Sequence, residues 1–216
     1  MADMNLVGRR VAIRAMMPED LDAMAQWRPF ADPLYQPFDF PRQDRADHLR
    51  WFEWRSQDPS RRLYTIVNEH GKVLGSLTLR DIDRRESARL GITIGADYVS
   101  QGYGTEAMVL FLDHYFGEMG FAAIVLDVAA TNLRAVGCYR ALGFRETGRH
   151  YRLAGHPSYR TLHRDPRYRH LRHFFKLTGA VMKVLFYDMA MTREEWQAIS
   201  QRLDRAQAEA SGRTDP

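Results

Sequence analysis

Two stretches of this chain carry residue types and spacings that can do chemistry. The first is Ser100-Gln101-Gly102-Tyr103-Gly104-Thr105, a glycine turn between a β-patterned run ending at Ile94 and a helical pattern behind it. Such a turn aims several backbone N–H groups and the positive end of a helix dipole at one point, which suits phosphate. Gly102 and Gly104 permit close backbone approach and unusual φ angles. The turn lacks the Lys-Ser/Thr ending of a P-loop, which argues against NTP hydrolysis. By itself it reads equally as a phosphate cradle or as a helix cap without a ligand. A dinucleotide-binding unit also competes, because Gly102–Ala107 matches G-x-G-x-x-A and Asp127 ends the next strand at nearly the expected spacing. Its placement counts against it: that fingerprint normally follows the first strand of its domain, and here a strand, two helices and an apparent antiparallel hairpin come first.

The second stretch is Asn132-Leu133-Arg134-Ala135-Val136-Gly137-Cys138-Tyr139, followed by Leu142-Gly143-Phe144. Asn132 can bond a ligand or cap the helix after it. Tyr139 can donate a proton, or be a core aromatic on the helical face it shares with Ala135 and Leu142. No His or Asp is arranged around Cys138 in sequence, so a buried, inert thiol is expected there. His163, His170 and His173 form no H-x-x-x-H pair, so no metal site is expected.

The elements that must position these residues follow from periodicity. Val11–Arg14 is a short strand, and Pro18-Glu19-Asp20 opens a helix with Leu21, Met24 and Trp27 on its apolar face. Prolines 33, 37 and 41 make Phe30–Arg42 a loop before a second amphipathic helix, about Asp44–Gln57, carrying Trp51 and Trp54. Leu63–Val67 and Val73–Leu79 flank a hairpin signal at Glu69-His70-Gly71-Lys72. In Ser87–Ile94, Leu90, Ile92 and Ile94 alternate as in a half-buried strand. Met108, Phe111, Leu112, Tyr115 and Phe116 define the helix behind the glycine turn, which ends near Gly120. Phe121–Ala129 reads as a strand buried on both faces, Leu133–Leu142 as a short helix stopped by Gly143, and Phe144–Leu153 as a strand. Ala154–Lys176 is expected to be irregular and Lys183–Met191 a last strand. Thr192-Arg193-Glu194-Glu195 matches a capping box at the head of a final helix bearing Trp196, Ile199 and Leu203. A polar, disordered tail is expected from Gln207 to Pro216.

Composition narrows the class. A chain of 216 residues fits one domain with appendages, residues 1–206 here, or at most two small ones. Its single cysteine excludes an intramolecular disulfide framework and cannot alone build a thiolate metal site. The segment Met1–Asn5 lacks a basic region followed by an apolar one, so no signal peptide is expected. The longest apolar stretch, Phe174–Phe186, is broken by Lys176 and Lys183, short of the roughly 20 residues a membrane helix needs. The expectation is a soluble, cytoplasmic protein. The net charge of +4 is modest but uneven: Arg160, Arg164, Arg167, Arg169, Arg172 and Lys176 face only Asp165 within one segment.

Taken together, Gln101–Ala107 and Asn132–Phe144 resemble, in order and separation, the pyrophosphate motif and the N-x-x-A-x-x-x-Y…L-G-F segment of GCN5-related N-acetyltransferases (the GNAT superfamily). The flavour is that of the RimJ/RimL-like ribosomal-protein N-acetyltransferase branch, and the resemblance covers roughly Val11–Thr192. It implies an α/β (α+β) fold: a mixed, mostly antiparallel twisted sheet with a central, splayed parallel strand pair and helices on both faces. One departure stands out: the family motif opens with Gln or Arg three residues before its first glycine, and here that place is Val99, leaving Gln101 to compensate.

The resemblance further implies acetyl-CoA as co-substrate, held by Ile92, Thr93 and Ile94 along its pantetheine arm, by Gln101, Gly102, Tyr103, Gly104 and Thr105 at its pyrophosphate, and by Asn132 and Tyr139. A primary amine would attack the thioester directly, with a backbone N–H near Ile94 stabilising the oxyanion, a contribution of roughly 3–4 kcal/mol in other enzymes. Tyr139 would protonate the leaving thiolate, their reference basicities being similar. Asp127 is the first candidate for accepting the amine's proton: it stands five residues before Asn132, where related ribosomal-protein acetyltransferases carry glutamate. His150, Glu86 and Tyr98 are the others. The 154–183 insertion reads as a solvated loop, a lid over the acceptor site, an RNA- or ribosome-contacting segment or an interfacial helix, the lid being the favoured functional reading. The acceptor (protein N-terminus, polyamine or small amine metabolite), a homodimer, and a catalytically silent acyl-CoA-binding role stay open at this point.

Overall fold

The computed structural model describes residues 5–211; residues 1–4 and 212–216 lie outside it, and with them the N-terminal segment and the end of the polar tail considered above. Nine strands and six α-helices follow one another as β1 (Asn5–Val7), β2 (Val11–Ala15), α1 (Pro18–Ala25), α2 (Arg45–Ser56), β3 (Arg62–Asn68), β4 (Val73–Asp83), β5 (Ser87–Ile94), α3 (Tyr103–Gly117), β6 (Ala123–Ala129), α4 (Leu133–Ala141), β7 (Arg145–Leu153), α5 (Ser158–Arg164), β8 (Phe175–Thr178), β9 (Val181–Thr192) and α6 (Arg193–Ser211). All strands join one sheet in the order β1-β2-β3-β4-β5-β6-β9-β7, with β8 also paired to β9. Every pairing is antiparallel except β5 with β6. A doubly wound parallel sheet, and with it the dinucleotide-binding reading, is excluded. The mixed sheet with one parallel pair is the expected architecture.

Local chemistry accounts for the helix ends. Asp44 caps α2 by accepting from Asp47 N at 2.7 Å. At the head of α6, Thr192 N donates to Glu195 Oε2 at 2.8 Å while Glu195 N donates back to Thr192 Oγ1 at 3.3 Å, the reciprocal box its sequence predicts. α6 stays helical to Ser211, past Gln207 where a disordered tail was expected. Gly143 closes α4 at φ +94°, and a Cβ there would lie 2.2 Å from Ile199 Cδ1, so both backbone and packing require glycine.

The main core lies between the sheet and α3, whose Met108, Phe111, Leu112, Tyr115 and Phe116 are buried against Ile124, Leu126 and Val128 of β6. β6 was expected to be buried on both faces, but Ala123, Val125 and Asp127 are only partly covered, the buried residues being Ile124, Leu126, Val128 and Ala129. Its other face, bearing Val125 and Asp127, looks toward the side where α1 and α2 pack and supports polar groups there. Nor is 154–176 irregular: α5 and a 3-10 segment, Pro166–Phe174, bury Tyr159, Leu162, Leu171 and Phe174.

α1 is tied to the sheet through Asp20, which is 3% exposed. Its oxygens accept from two Arg14 guanidinium nitrogens at 2.7 Å each, from Thr65 Oγ1 at 2.7 Å and from Met17 N at 2.8 Å. Burial pushes the carboxyl up, but the bonds from Arg14, Met17 and Thr65 outweigh it and hold it below the usual carboxylate range. Asp20→Asn is expected to cost about 2 kcal/mol, read from the urea unfolding midpoint. Because the folded pKa lies below the unfolded one, this contribution is complete above about pH 4 and is lost as pH falls through the folded value.

Candidate active site

β5 and β6 pair only from Ser87↔Ala123 to Arg89↔Val125 and then diverge. Main-chain direction within the fork follows from the ladders on either side. Gly95 N donates to Leu74 O at 3.0 Å, so by antiparallel alternation Gly91 and Thr93 spend their main-chain groups on β4, while Ile92 and Ile94 turn theirs toward the gap. On the other arm Ala130 N donates to Leu185 O at 2.9 Å, which leaves the main chain of Asp127 and Ala129 facing the gap. A cavity of about 720 Å³ opens there, walled by Leu90–Ile94, Gly102, Gly104 and Thr105, Asp127–Ala129 and the α4 face from Asn132 to Tyr139.

The glycine turn sits at the open end of this fork. Gly102 takes φ +84° and Ser100 φ +60°, bending the chain so that α3 begins at Tyr103. Glu106 N is the first to bond within the helix, to Gly102 O at 3.0 Å, so the N–H groups of Tyr103, Gly104 and Thr105 have no intrahelical acceptor. They and the helix dipole form an anion cradle at the cavity edge. Gln101 does not compensate for Val99: its Nε2 folds back to Asp97 O at 2.7 Å. Arg10, which the sequence reading missed, stands at that place. Its Nη1 donates to Gln101 O at 3.0 Å and its Nε to Glu106 Oε2 at 2.8 Å, and a Cβ on Gly102 would lie 2.9 Å from its Nη2. The cradle, the two gap-facing main-chain rows and the cavity size fit a nucleotide-linked, peptide-like arm such as pantetheine.

Deeper in, Tyr139 is 9% exposed and lines the cavity; among the described residues no protein group hydrogen-bonds its hydroxyl. Burial, with smaller contributions from Cys138 and Asp127, pushes the phenol well above its ordinary value. The match to a thiolate expected from reference values is therefore not kept, and the phenol holds its proton more tightly. Asn132 caps α4 through Ala135 N at 3.2 Å and also lines the cavity. Cys138 is half-buried in the cavity wall rather than in the core, its Sγ 3.4 Å from Thr105 Oγ1.

Asp127 is not free to accept a proton. Its Oδ1 accepts from Arg80 Nη2 at 2.8 Å and Arg89 Nη1 at 3.0 Å, and its Oδ2 from Arg152 Nη1 at 2.7 Å. Burial pushes this carboxyl up, but the Arg152 hydrogen bond and the charges of Arg152, Arg80 and Arg89 hold it below the usual range. His150 is engaged on both ring nitrogens, Nδ1 with Asp188 Oδ2 at 2.8 Å and Nε2 with Arg152 Nε at 2.8 Å. Glu86 lies exposed at the closed end of the fork, before Ser87, away from the cavity. Tyr98 does line it. A carboxylate the sequence reading overlooked, Asp39, also lines it; Oδ1 accepts from Phe30 N at 2.8 Å, and no cation pairs with it among the described residues. The outer wall comes from Phe30, Phe38, His156, Tyr159 and Phe186.

Comparison with known proteins bears on this site. The profile of the acetyltransferase (GNAT) domain family matches residues 10–145. An uncharacterized N-acetyltransferase, p20, of Bacillus licheniformis is 25% identical over 150 residues, covering 66% of this chain and 83% of the relative. The [ribosomal protein bS18]-alanine N-acetyltransferase of Escherichia coli is 28% identical over 109 residues, 48% of this chain and 70% of that protein. Among solved structures, spermidine N-acetyltransferase from Vibrio cholerae, in complex with CoA and spermine, aligns with a TM-score of 0.63 at 18% identity, over 87% of this chain and 98% of that one. At that identity the likeness is one of fold. No helix among the described residues is long and apolar enough to cross a membrane.

Proposed function

Since this chain belongs to the acetyltransferase (GNAT) family and is an N-acetyltransferase using acetyl-CoA, we propose that it acetylates a primary amine, on a small molecule or a peptide, by direct attack on the thioester, in the cytoplasm. The observation that carries this is the pair of main-chain rows at Ile92–Ile94 and Asp127–Ala129, unpaired across the fork with an amide cradle at its open end. The thioester supplies an activated acetyl group; everything else falls to the protein. The amides of Tyr103, Gly104 and Thr105 hold the pyrophosphate, and Ile92 and Ile94 bond the arm like an added strand, so the reacting carbon is held in place. The Ile94 N–H, turned into the gap, stabilises negative charge on the carbonyl oxygen. Tyr139 donates to the departing sulfur.

With Asp127 occupied by three guanidinium groups, the amine's proton goes to Asp39, directly or through water. Within the 154–183 segment, Tyr159 and His156 reach the cavity and Tyr168 Oη donates to Asp32 Oδ1 at 2.7 Å across to the loop before α2, which supports the lid reading. A single domain over 1–206 with that segment as a lid accounts for the continuous sheet. A thiol-release assay with acetyl-CoA and a panel of amines and N-terminal peptides tests the function. Release of CoA with acetylated amine supports it, and CoA binding without transfer to any acceptor supports a silent binding domain instead.

Arg10 supplies the cation the motif lacks at Val99. Arg10→Gln is expected to raise KM for acetyl-CoA roughly tenfold, the scale of one hydrogen bond to a charged group. With S-acetylpantetheine, which has no pyrophosphate, the same substitution leaves KM nearly unchanged; an equal rise for both donors assigns Arg10 to the shape of the turn alone.

A further inference from the structure

The closed end of the fork carries more positive charge than one carboxylate requires. Arg80 and Arg89 are cross-strand partners on β4 and β5 at the last residues before the fork opens, and Arg152 reaches them from β7. Their side chains remain 34%, 28% and 43% exposed while that of the Asp127 they share is 7% exposed, so the arginines reach solvent and the carboxylate is covered. Nη2 of Arg89 and Nη2 of Arg152 have no protein acceptor among the described residues, one on each side of Asp127. Arg152 also lies over the ring of Phe186, a wall of the cavity, 4.4 Å from its centroid.

The surrounding charges do not cancel this excess. Asp81 pairs with Arg80 at 3.1 Å and Arg89 at 3.4 Å, and Asp188 takes His150. Arg55 of α2 adds a fourth cation, its Nε buried without a partner among the described residues and its pKa lowered by burial and by the charges of Arg61 and Arg80. Arg61 is matched by Asp58. Four arginines thus meet three carboxylates, with His150 lying between Arg152 and Asp188. The cofactor's own phosphates belong at the opposite, open end, at Gly102–Thr105, so they do not use these cations. Like-charge crowding of this kind is relieved by an anion and worsened by a polycation.

Resting on the transferase reading above, we propose that Arg89 and Arg152, held apart by Asp127, bind an anionic group of the acceptor, so that the substrate is a small amine carrying a carboxylate or a phosphate rather than a polyamine. The test is a matched panel of short aliphatic amines ending in carboxylate, phosphate, carboxamide or a second ammonium group. In thiol release with acetyl-CoA, kcat/KM is expected to be at least tenfold higher for an anionic member than for the carboxamide, with the diamine and spermidine below the carboxamide. The better of carboxylate and phosphate identifies the group. Arg89→Gln and Arg152→Gln should each pull the anion-to-carboxamide ratio toward one, mainly through KM, and Arg152→Lys should keep part of it. A preference for spermidine, or a ratio untouched by these substitutions, overturns the proposal and leaves the arginines as partners of Asp127 only. Equilibrium binding of the same panel to CoA-loaded protein reads the preference without turnover. Anion-selective binding with no transfer supports this site and counts against the transferase reading, whereas charge-blind binding overturns the site.

Discussion

Replacing Tyr139 with phenylalanine is expected to lower kcat about a hundredfold while acetyl-CoA affinity stays within a factor of about two. The hydroxyl oxygen is the one heavy atom removed; Tyr139 lines the cavity and its hydroxyl has no protein partner among the described residues, so little packing and no hydrogen bond among them is lost. Its ring remains against Phe144, with centroids 5.8 Å apart, and keeps the helix-to-strand corner after α4 in place. Burial raises the phenol's pKa, so it stays protonated throughout the neutral and mildly alkaline range and acts only as a donor. The kcat–pH profile of the native protein should therefore have no alkaline limb from Tyr139 below about pH 10. Pre-steady-state kinetics with acetyl-CoA and a good acceptor separate the chemical step from product release. A loss confined to KM would assign the residue to binding.

Asp127→Ala is expected to be the most destabilising single change at the site, about 3 kcal/mol, because it removes the covered carboxylate that three arginines share, leaving Arg80 and Arg89 only Asp81 and Arg152 no carboxylate among the described residues. Partial exposure of the guanidinium groups keeps the figure at the lower end of what a broken buried pair costs. Its pH signature is equally specific. The folded-state pKa is depressed, so Asp127 stabilises the protein fully above about pH 4 and loses that contribution only as pH falls through the folded value; nothing changes between pH 5 and 9. A residue titrating in that window as the catalytic base has to be another. Asp39→Asn is the contrast: among the described residues its carboxylate has no cation to strand, so the expected result is a fall in kcat of at least tenfold at pH 7 with an unchanged thermal midpoint. If instead Asp127→Asn leaves stability intact and removes the acid limb of the rate profile, the roles of these two aspartates are reversed.

What could be read from the sequence and what could not divide along contact range. Ser87–Ile94 alternates cleanly, and β5 has those bounds; Asp44 and the Thr192–Glu195 box announce their helices because capping is local chemistry. The glycine turn and Asn132–Tyr139 were legible for the same reason, as each works within one turn of chain. The 154–176 segment was not, since its arginines and histidines interrupt the apolar spacing of Tyr159, Leu162, Leu171 and Phe174. β1 is three residues long, too short for any period. The arginine cluster was hidden for a different reason: Arg80, Arg89 and Arg152 reach Asp127 from three strands, up to 47 residues away. Arg80 and Arg89 pair across the β4–β5 hairpin, and like charges directly opposite are unfavourable unless an anion lies beside them. Only the folded sheet, which brings Asp127 beside that pair, shows it as an occupied anchor rather than a base. Arg10 was more distant still, 96 residues from the Glu106 that orients it.

The most direct measurement is the structure of the protein crystallised with CoA. Pyrophosphate oxygens should lie within hydrogen-bonding distance of the N–H groups of Tyr103, Gly104 and Thr105, with the pantetheine arm bonded to the main chain of Ile92 and Ile94 and its sulfur beside the Tyr139 hydroxyl. CoA bound elsewhere, or β5 and β6 zipped together past Arg89 and Val125 so that no arm can enter, would contradict the account.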